Sequence, residues 1–136
     1  MRRRRVILAM LAAGLSLLPA NAQPETPAGK WLAEDIFGGG VLDRVQTTIE
    51  FTGDGRVAGR GGCNHYFAGV KIEKDRMKFS QAGSTQMACT PAVMNQESKF
   101  LGALGTVRSW QIDTPARKLF LRNEKGNVIL RFARLP

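Results

Sequence analysis

The sequence has one histidine, one tyrosine and two cysteines in 136 residues, and aromatic residues make up only 7% of it. A single histidine excludes any relay or zinc site that needs two imidazoles. Two cysteines allow one disulfide and no cysteine-rich metal cluster. The longest apolar run, residues 6–18, falls short of the roughly 20 residues that cross a bilayer as a helix. The length leaves no room for a TIM barrel or a two-half dinucleotide fold. There is no internal repeat and no low-complexity tract.

What is present points to one packed domain. Hydrophobic residues make up 43% and charged residues 23%, which is the balance of a chain with a core rather than a disordered one. Fifteen glycines and six prolines imply many turns, and so more strand than helix.

The first residues carry an export pattern. Arg2 to Arg5 are a basic head, residues 6–18 an apolar run, Pro19 a break, and Ala20-Asn21-Ala22 a small-x-small cleavage site. Residues 1–22 are therefore expected to be a secretory signal peptide, which predicts a periplasmic or secreted protein. No cysteine precedes Cys63, so no lipoprotein anchor is expected. Four arginines and no acid lie in residues 1–22, so the formal charge of +9 becomes +5 after cleavage. The remaining basic residues are scattered in sequence, with no stripe of the kind that marks a nucleic-acid protein. No nucleic-acid partner is expected; a weak attraction to anionic envelope surfaces is. Residues 23–29, with two prolines, read as a linker, and 30–136 as the domain.

Along the domain, residues 31–36 form a candidate first strand ended by three glycines. Val45, Thr47, Ile49 and Phe51 alternate with polar residues as in a half-buried strand. The turn 52–55 leads into a returning arm, where glycines at 59, 61 and 62 imply a bend or a close approach to the backbone. Residues 70–72 and 77–79 form a second hairpin. Thr90-Pro91 reads as a helix start with a hydroxyl N-cap. Val93, Glu97, Phe100 and Leu104 fall on one helical stripe that Gly105 ends, so Glu97 points inward and must be hydrogen-bonded or shifted in pKa; a structural role in holding a nearby loop is favoured over catalysis. Residues 107–113, 118–122 and 128–135 complete the strands, with Val128, Leu130 and Phe132 on one face. The expected fold is mainly β (α+β): a strongly curved antiparallel sheet or small barrel of about seven strands with one covering helix.

Two segments stand out. Gly61-Gly62-Cys63-Asn64-His65 and Thr85-Gln86-Met87-Ala88-Cys89, the latter leading into a helix with Glu97, resemble the paired motifs of the META domain (HslJ-like) family. Trp31 and the Gly53-Asp54-Gly55-Arg56-Val57 hairpin are similar too, and the resemblance covers about residues 30–135. It departs at His65 and Gln86, where the family usually has a basic residue and an arginine. The resemblance implies an exported or envelope protein linked to stress response or antibiotic resistance, and brings no catalytic reaction or cofactor. It marks Cys63, Asn64, His65, Thr85, Gln86 and Glu97 as candidate binding residues.

The residues themselves leave alternatives open. Cys63 and His65 are the minimum for a thiol hydrolase. In an oxidising destination, however, Cys63 and Cys89 are expected to pair as a disulfide. A zinc ion on Cys63, His65 and Cys89 would have three ligands where a closed site takes four. A serine triad would have to use His65, and no Gly-x-Ser-x-Gly elbow occurs. Asn64 is expected to satisfy backbone groups of its turn, Thr85 to bond or pack likewise, and Tyr66 and Phe67 to fill the core or cover the barrel end. Glu34, Asp35, Asp43 and Asp54 read as solvated. The favoured function is a non-enzymatic binding protein for a protein partner or small hydrophobic ligand, monomeric and without cofactor or metal. The alternatives are the thiol hydrolase and a small protease inhibitor presenting residues 38–43.

Overall fold

The computed structural model describes residues 13–14 and 26–136. The expected signal peptide and its cleavage site lie outside the described residues, apart from Ala13 and Gly14. In chain order the domain runs β1 (Gly29–Ile36), β2 (Thr48–Phe51), β3 (Arg56–Arg60), β4 (His65–Glu73), β5 (Arg76–Phe79), β6 (Gly83–Ser84), α1 (Pro91–Leu104), β7 (Ser109–Asp113), β8 (Lys118–Arg122) and β9 (Val128–Arg134).

Every pairing is antiparallel and almost every neighbour is sequential. β1 pairs with β9, and β3 with both β2 and β4, so eight strands close into an up-and-down barrel, with two-residue β6 attached beside β4. Nine strands are present against about seven expected: the runs read from the sequence account for eight, and two-residue β6 is too short to show as a run. Closure chooses the barrel over the open curved sheet, and it removes the exposed edges that an open sheet would leave. The weakest lateral joint is between β5 and β7, a single residue pair, Arg76 with Ser109. The chain between those strands carries α1.

An eight-stranded barrel is just wide enough for side chains to fill it. Trp31, Ile49, Val57, Met77, Leu119, Leu121, Leu130 and Phe132 fill it here, all 0–1% exposed. The helix puts Phe100 into the same core, edge-on to Tyr66 at 5.4 Å and to Phe132 at 6.3 Å. Burial pushes the Tyr66 phenol well above its ordinary pKa, and its hydroxyl donates to Thr48 O at 2.7 Å. Among the described residues no helix is long and apolar enough to cross a membrane.

Several local expectations shift. The domain begins before residue 30: Pro27 is buried and its carbonyl accepts the Trp31 indole N–H at 2.9 Å. Thr90 is the N-cap residue but its hydroxyl makes no capping bond; Pro91 starts the helix. On β9 a register shift beside Arg122 breaks the alternation, so Ile129 and Leu130 are both buried while Val128 is exposed. Phe67 is not core: it is 66% exposed on the outer face of β4.

Candidate functional site

The two motif segments and the helix meet at one junction, buried at Cys63, Asn64 and Glu97 and exposed along residues 84–90. Cys63 and Cys89 form a disulfide with their Cα atoms 6.0 Å apart. Glu97, buried on the inner face of α1, accepts the Cys63 and Asn64 backbone N–H groups at 3.1 and 2.5 Å and the Asn64 side-chain amide at 2.8 Å. Asn64 Oδ1 in turn accepts Thr85 Oγ1–H at 2.9 Å and Met87 N–H at 2.6 Å. So Asn64 satisfies the backbone of the second motif rather than of its own turn. Thr85 Oγ1 also accepts the His65 N–H at 3.2 Å. Both side-chain groups of a buried amide and both oxygens of a buried carboxylate are thereby used, as burial requires.

Glycine is needed where these elements touch. A Cβ on Gly61 would lie 2.7 Å from Glu97 Cγ, and one on Gly59 would run into the Thr48 carbonyl oxygen. The close approach expected from the glycine cluster is therefore present at both positions.

His65 and Gln86 stand apart from this junction. Both side chains are exposed, and neither enters the Asn64–Glu97 bonds. Cys63 Sγ is held in the disulfide, so among the described residues there is no free thiol. No group of three His, Cys, Asp or Glu among them is placed to hold a metal.

A second assembly lies beyond β1, where helix and barrel end meet. The loop after Ile36 is held from three sides. Asp35 accepts the Gly38 and Gly40 N–H groups at 2.8 and 2.7 Å, Phe37 N–H donates to Ile129 O at 2.8 Å, and Leu42 N–H donates to Gln96 Oε1 at 2.7 Å. Gln96 is buried and donates onward to Thr47 Oγ1 at 3.0 Å, whose hydroxyl donates to Gly61 O at 2.9 Å. The loop is thus wired to the motif junction. It presents Phe37 and Leu42, 53% and 39% exposed, and Leu42 borders a cleft of about 220 Å³ shared with Ala92, Asn95 and Lys99. Phe37, Gly38 and Gly40 all have positive φ, at 54°, 78° and 71°.

The carboxylates read as solvated divide. Asp43 is exposed, and Asp54 is exposed with its carboxyl held below the ordinary range chiefly by the Thr52 hydroxyl. Asp35 instead pins the loop. Glu34 pairs with Lys118 and, at 3.3 Å, with Arg131; Lys118 foremost holds its carboxyl below the usual value, against a smaller opposing effect of burial. Sequence reasoning passed over Gln96, although it lies three residues after Val93 and four before Phe100, on the edge of the buried stripe.

The family model of the META domain matches residues 24–135. No curated protein matches the chain. Three solved structures are similar in fold. A protein from Burkholderia xenovorans solved by NMR is 21% identical with a TM-score of 0.64, covering 87% of this chain and 99% of that one. Another NMR structure is 20% identical with a TM-score of 0.58, covering 78% and 88%. A crystal structure of a DUF4847 family protein from Bacteroides vulgatus is 16% identical with a TM-score of 0.54, covering 78% and 92%.

Proposed function

Because the chain belongs to the META domain family, we propose that it is a non-enzymatic exported binding protein of the cell envelope, with a role in stress or antibiotic resistance, that docks a protein partner through the loop of residues 37–42. The observation that supports this reading is the fixed presentation of Phe37 and Leu42. Three sets of hydrogen bonds hold the loop before any partner arrives, so little ordering entropy remains to be lost on binding. Exposed apolar side chains on a pre-set loop suit the centre of an interface.

A small hydrophobic ligand would need an interior cavity, and this barrel is filled by its own side chains. Protease inhibition needs an extended loop that can lie along a cleft, whereas residues 37–40 curl through positive φ. A thiol hydrolase needs a thiolate, and Cys63 is both buried and disulfide-bonded.

The test is site-specific photo-crosslinking of the full chain in its native host, from position 37 and, as a control, from position 116 at the opposite end of the barrel. The expected result is a discrete protein adduct from position 37 alone, lost when Leu42→Asp is introduced. Identical adducts from both positions would overturn the docking site. Alkylation without reductant separates the alternative: label entering Cys63 of the exported protein would favour the thiol hydrolase.

A further inference from the structure

Five of the basic residues scattered in sequence share the outer face of β3, β4 and β5 in the barrel. On β3, β4 and β5 the residues alternating with buried Val57, Tyr66, Ala68, Met77 and Phe79 point outward. They include Arg56, Arg60, Lys71, Arg76 and Lys78, against one carboxylate, Glu73, which stands opposite Arg76. Lys71 and Lys78 stand directly opposite each other, a like-charged cross-strand pair that costs stability. Neither has an ion-pair partner among the described residues; both ion pairs there belong to Glu34, on the β1–β9–β8 face.

The same face is grooved. Gly55, Gly69 and Ser80 line two adjoining hollows of about 370 and 470 Å³. One reaches Lys71 and Lys78; the other reaches Asp54, Phe67 and Gln81. Gly69 points outward between Phe67 and Lys71 and contributes no side chain, so the Ser80 hydroxyl reaches the backbone there and accepts the Gly69 N–H at 2.8 Å. The Phe67 ring lies along the sheet over its cross-strand partner Gly83, where a Cβ would come within 2.6 Å of Cζ. The ring tip is thus held against Gly83 while the side chain is 66% exposed.

We propose that this groove binds an acidic saccharide chain. The exposed Phe67 ring takes the apolar face of a sugar ring. Ser80, Gln81 and Asp54 offer a hydroxyl, an amide and a carboxylate to sugar hydroxyls. Lys71 and Lys78 take a carboxylate, sulfate or phosphate substituent, which relieves their mutual repulsion. Four residues at about 3.3 Å each separate Phe67 from Lys71 along β4, the reach of a short oligosaccharide. One feature turns the reading away from single-stranded nucleic acid: one ring is a single platform where such binders stack successive bases. A ring whose tip is held against Gly83 also gives no free apolar wedge to enter a bilayer. Acidic saccharides are polyanions of the cell envelope, the destination that the N-terminal segment predicts.

The test titrates the full chain with a galacturonate hexamer, a neutral maltohexaose, a deoxythymidylate hexamer and anionic phospholipid vesicles, using calorimetry and NMR shifts. The galacturonate hexamer is expected to bind best, with shifts at Phe67, Gly69 and Lys71. Phe67→Ser and Lys78→Glu should each weaken it about tenfold, while Lys125→Glu, an equal charge change in the β8–β9 turn, should stay within about twofold. Lys78→Glu should also raise the unfolding midpoint, so it keeps the test decisive if Phe67→Ser does not fold. Absence of galacturonate binding, equal weakening by Lys125→Glu, or tighter binding of the oligonucleotide or the vesicles would each overturn the proposal.

Discussion

Asn64 pairs with the backbone of Met87 at both ends of one peptide-like contact: Met87 N–H donates to Asn64 Oδ1 at 2.6 Å, and Asn64 Nδ2 donates to Met87 O at 3.3 Å. The side chain thus takes the place of a strand neighbour for a segment that has left the sheet after β6. The same Nδ2 reaches Glu97 Oε2. An aspartate at this position would turn an acceptor toward two other acceptors, so Asn64→Asp is expected to destabilise the fold by about 3–5 kcal/mol, the cost of an uncompensated buried charge. Asn64→Ala should cost about 1–3 kcal/mol. Urea unfolding with an unchanged slope is the measurement; equal effects of the two substitutions would contradict this account.

Gly61 of the first motif and Gly59 of β3 supply a ranking. A Cβ at Gly61 meets Glu97, a side chain that can move at the expense of its bonds to Cys63 and Asn64. A Cβ at Gly59 meets the Thr48 backbone carbonyl, which is held in β2. Both alanine variants should lose stability, Gly61→Ala by about 1–3 kcal/mol and Gly59→Ala by more. Thermal unfolding of the two variants side by side checks the order.

Reduction of Cys63–Cys89 opens a loop with a sequence separation of 26. The chain-entropy estimate for closing such a loop is about 3.6 kcal/mol. Against a net stability of about 5–15 kcal/mol for a small domain this is a large share. The reduced protein should unfold at a clearly lower temperature yet keep its β-sheet circular dichroism, because the barrel core does not depend on the bond. Loss of the sheet signal on reduction would show that the bond holds the fold itself.

Glu34 sets an acid-side dependence. Its folded pKa lies below the ordinary 4.5, mainly through Lys118. The unfolded chain therefore binds the proton first as pH falls, and the pair's contribution is complete above pH 4.5 and is lost as pH falls through the folded value. The groups are partly exposed, so about 0.2–1 kcal/mol is at stake. Glu34→Gln should flatten the stability profile below pH 4.5, with little change in slope above it. Denaturant midpoints across that range are the readout.

The sites differ in how legible they were. Glu97 was visible as an inward carboxylate on the helical stripe because the 3.6-residue period assigns a face without any tertiary knowledge. Its three donors are on an element 33 residues away, so the period shows that partners are needed without identifying them. The 37–42 loop was visible as three glycines. Its rigidity was not, because two of its three anchors, the Ile129 carbonyl and Gln96, are distant in sequence, the latter 54 residues from Leu42. The strand alternation failed on β9 because a register shift, which pairing alone creates, moved Ile129 inward.

Local pattern by itself determined the class of this protein: alternating strands, glycine turns, one amphipathic helix and two cysteines that can pair. These depend on residue chemistry within a few positions and survive without a partner segment. Barrel closure through β1 and β9, the wiring of Asn64 and Gln96 across the chain, and the gathering of Arg56, Lys71 and Lys78 onto one face were decided only by tertiary structure. The physical reason is that each depends on strand register. Register is set when all the apolar faces are buried at once, and one residue of slip would have turned every outward lysine into the core.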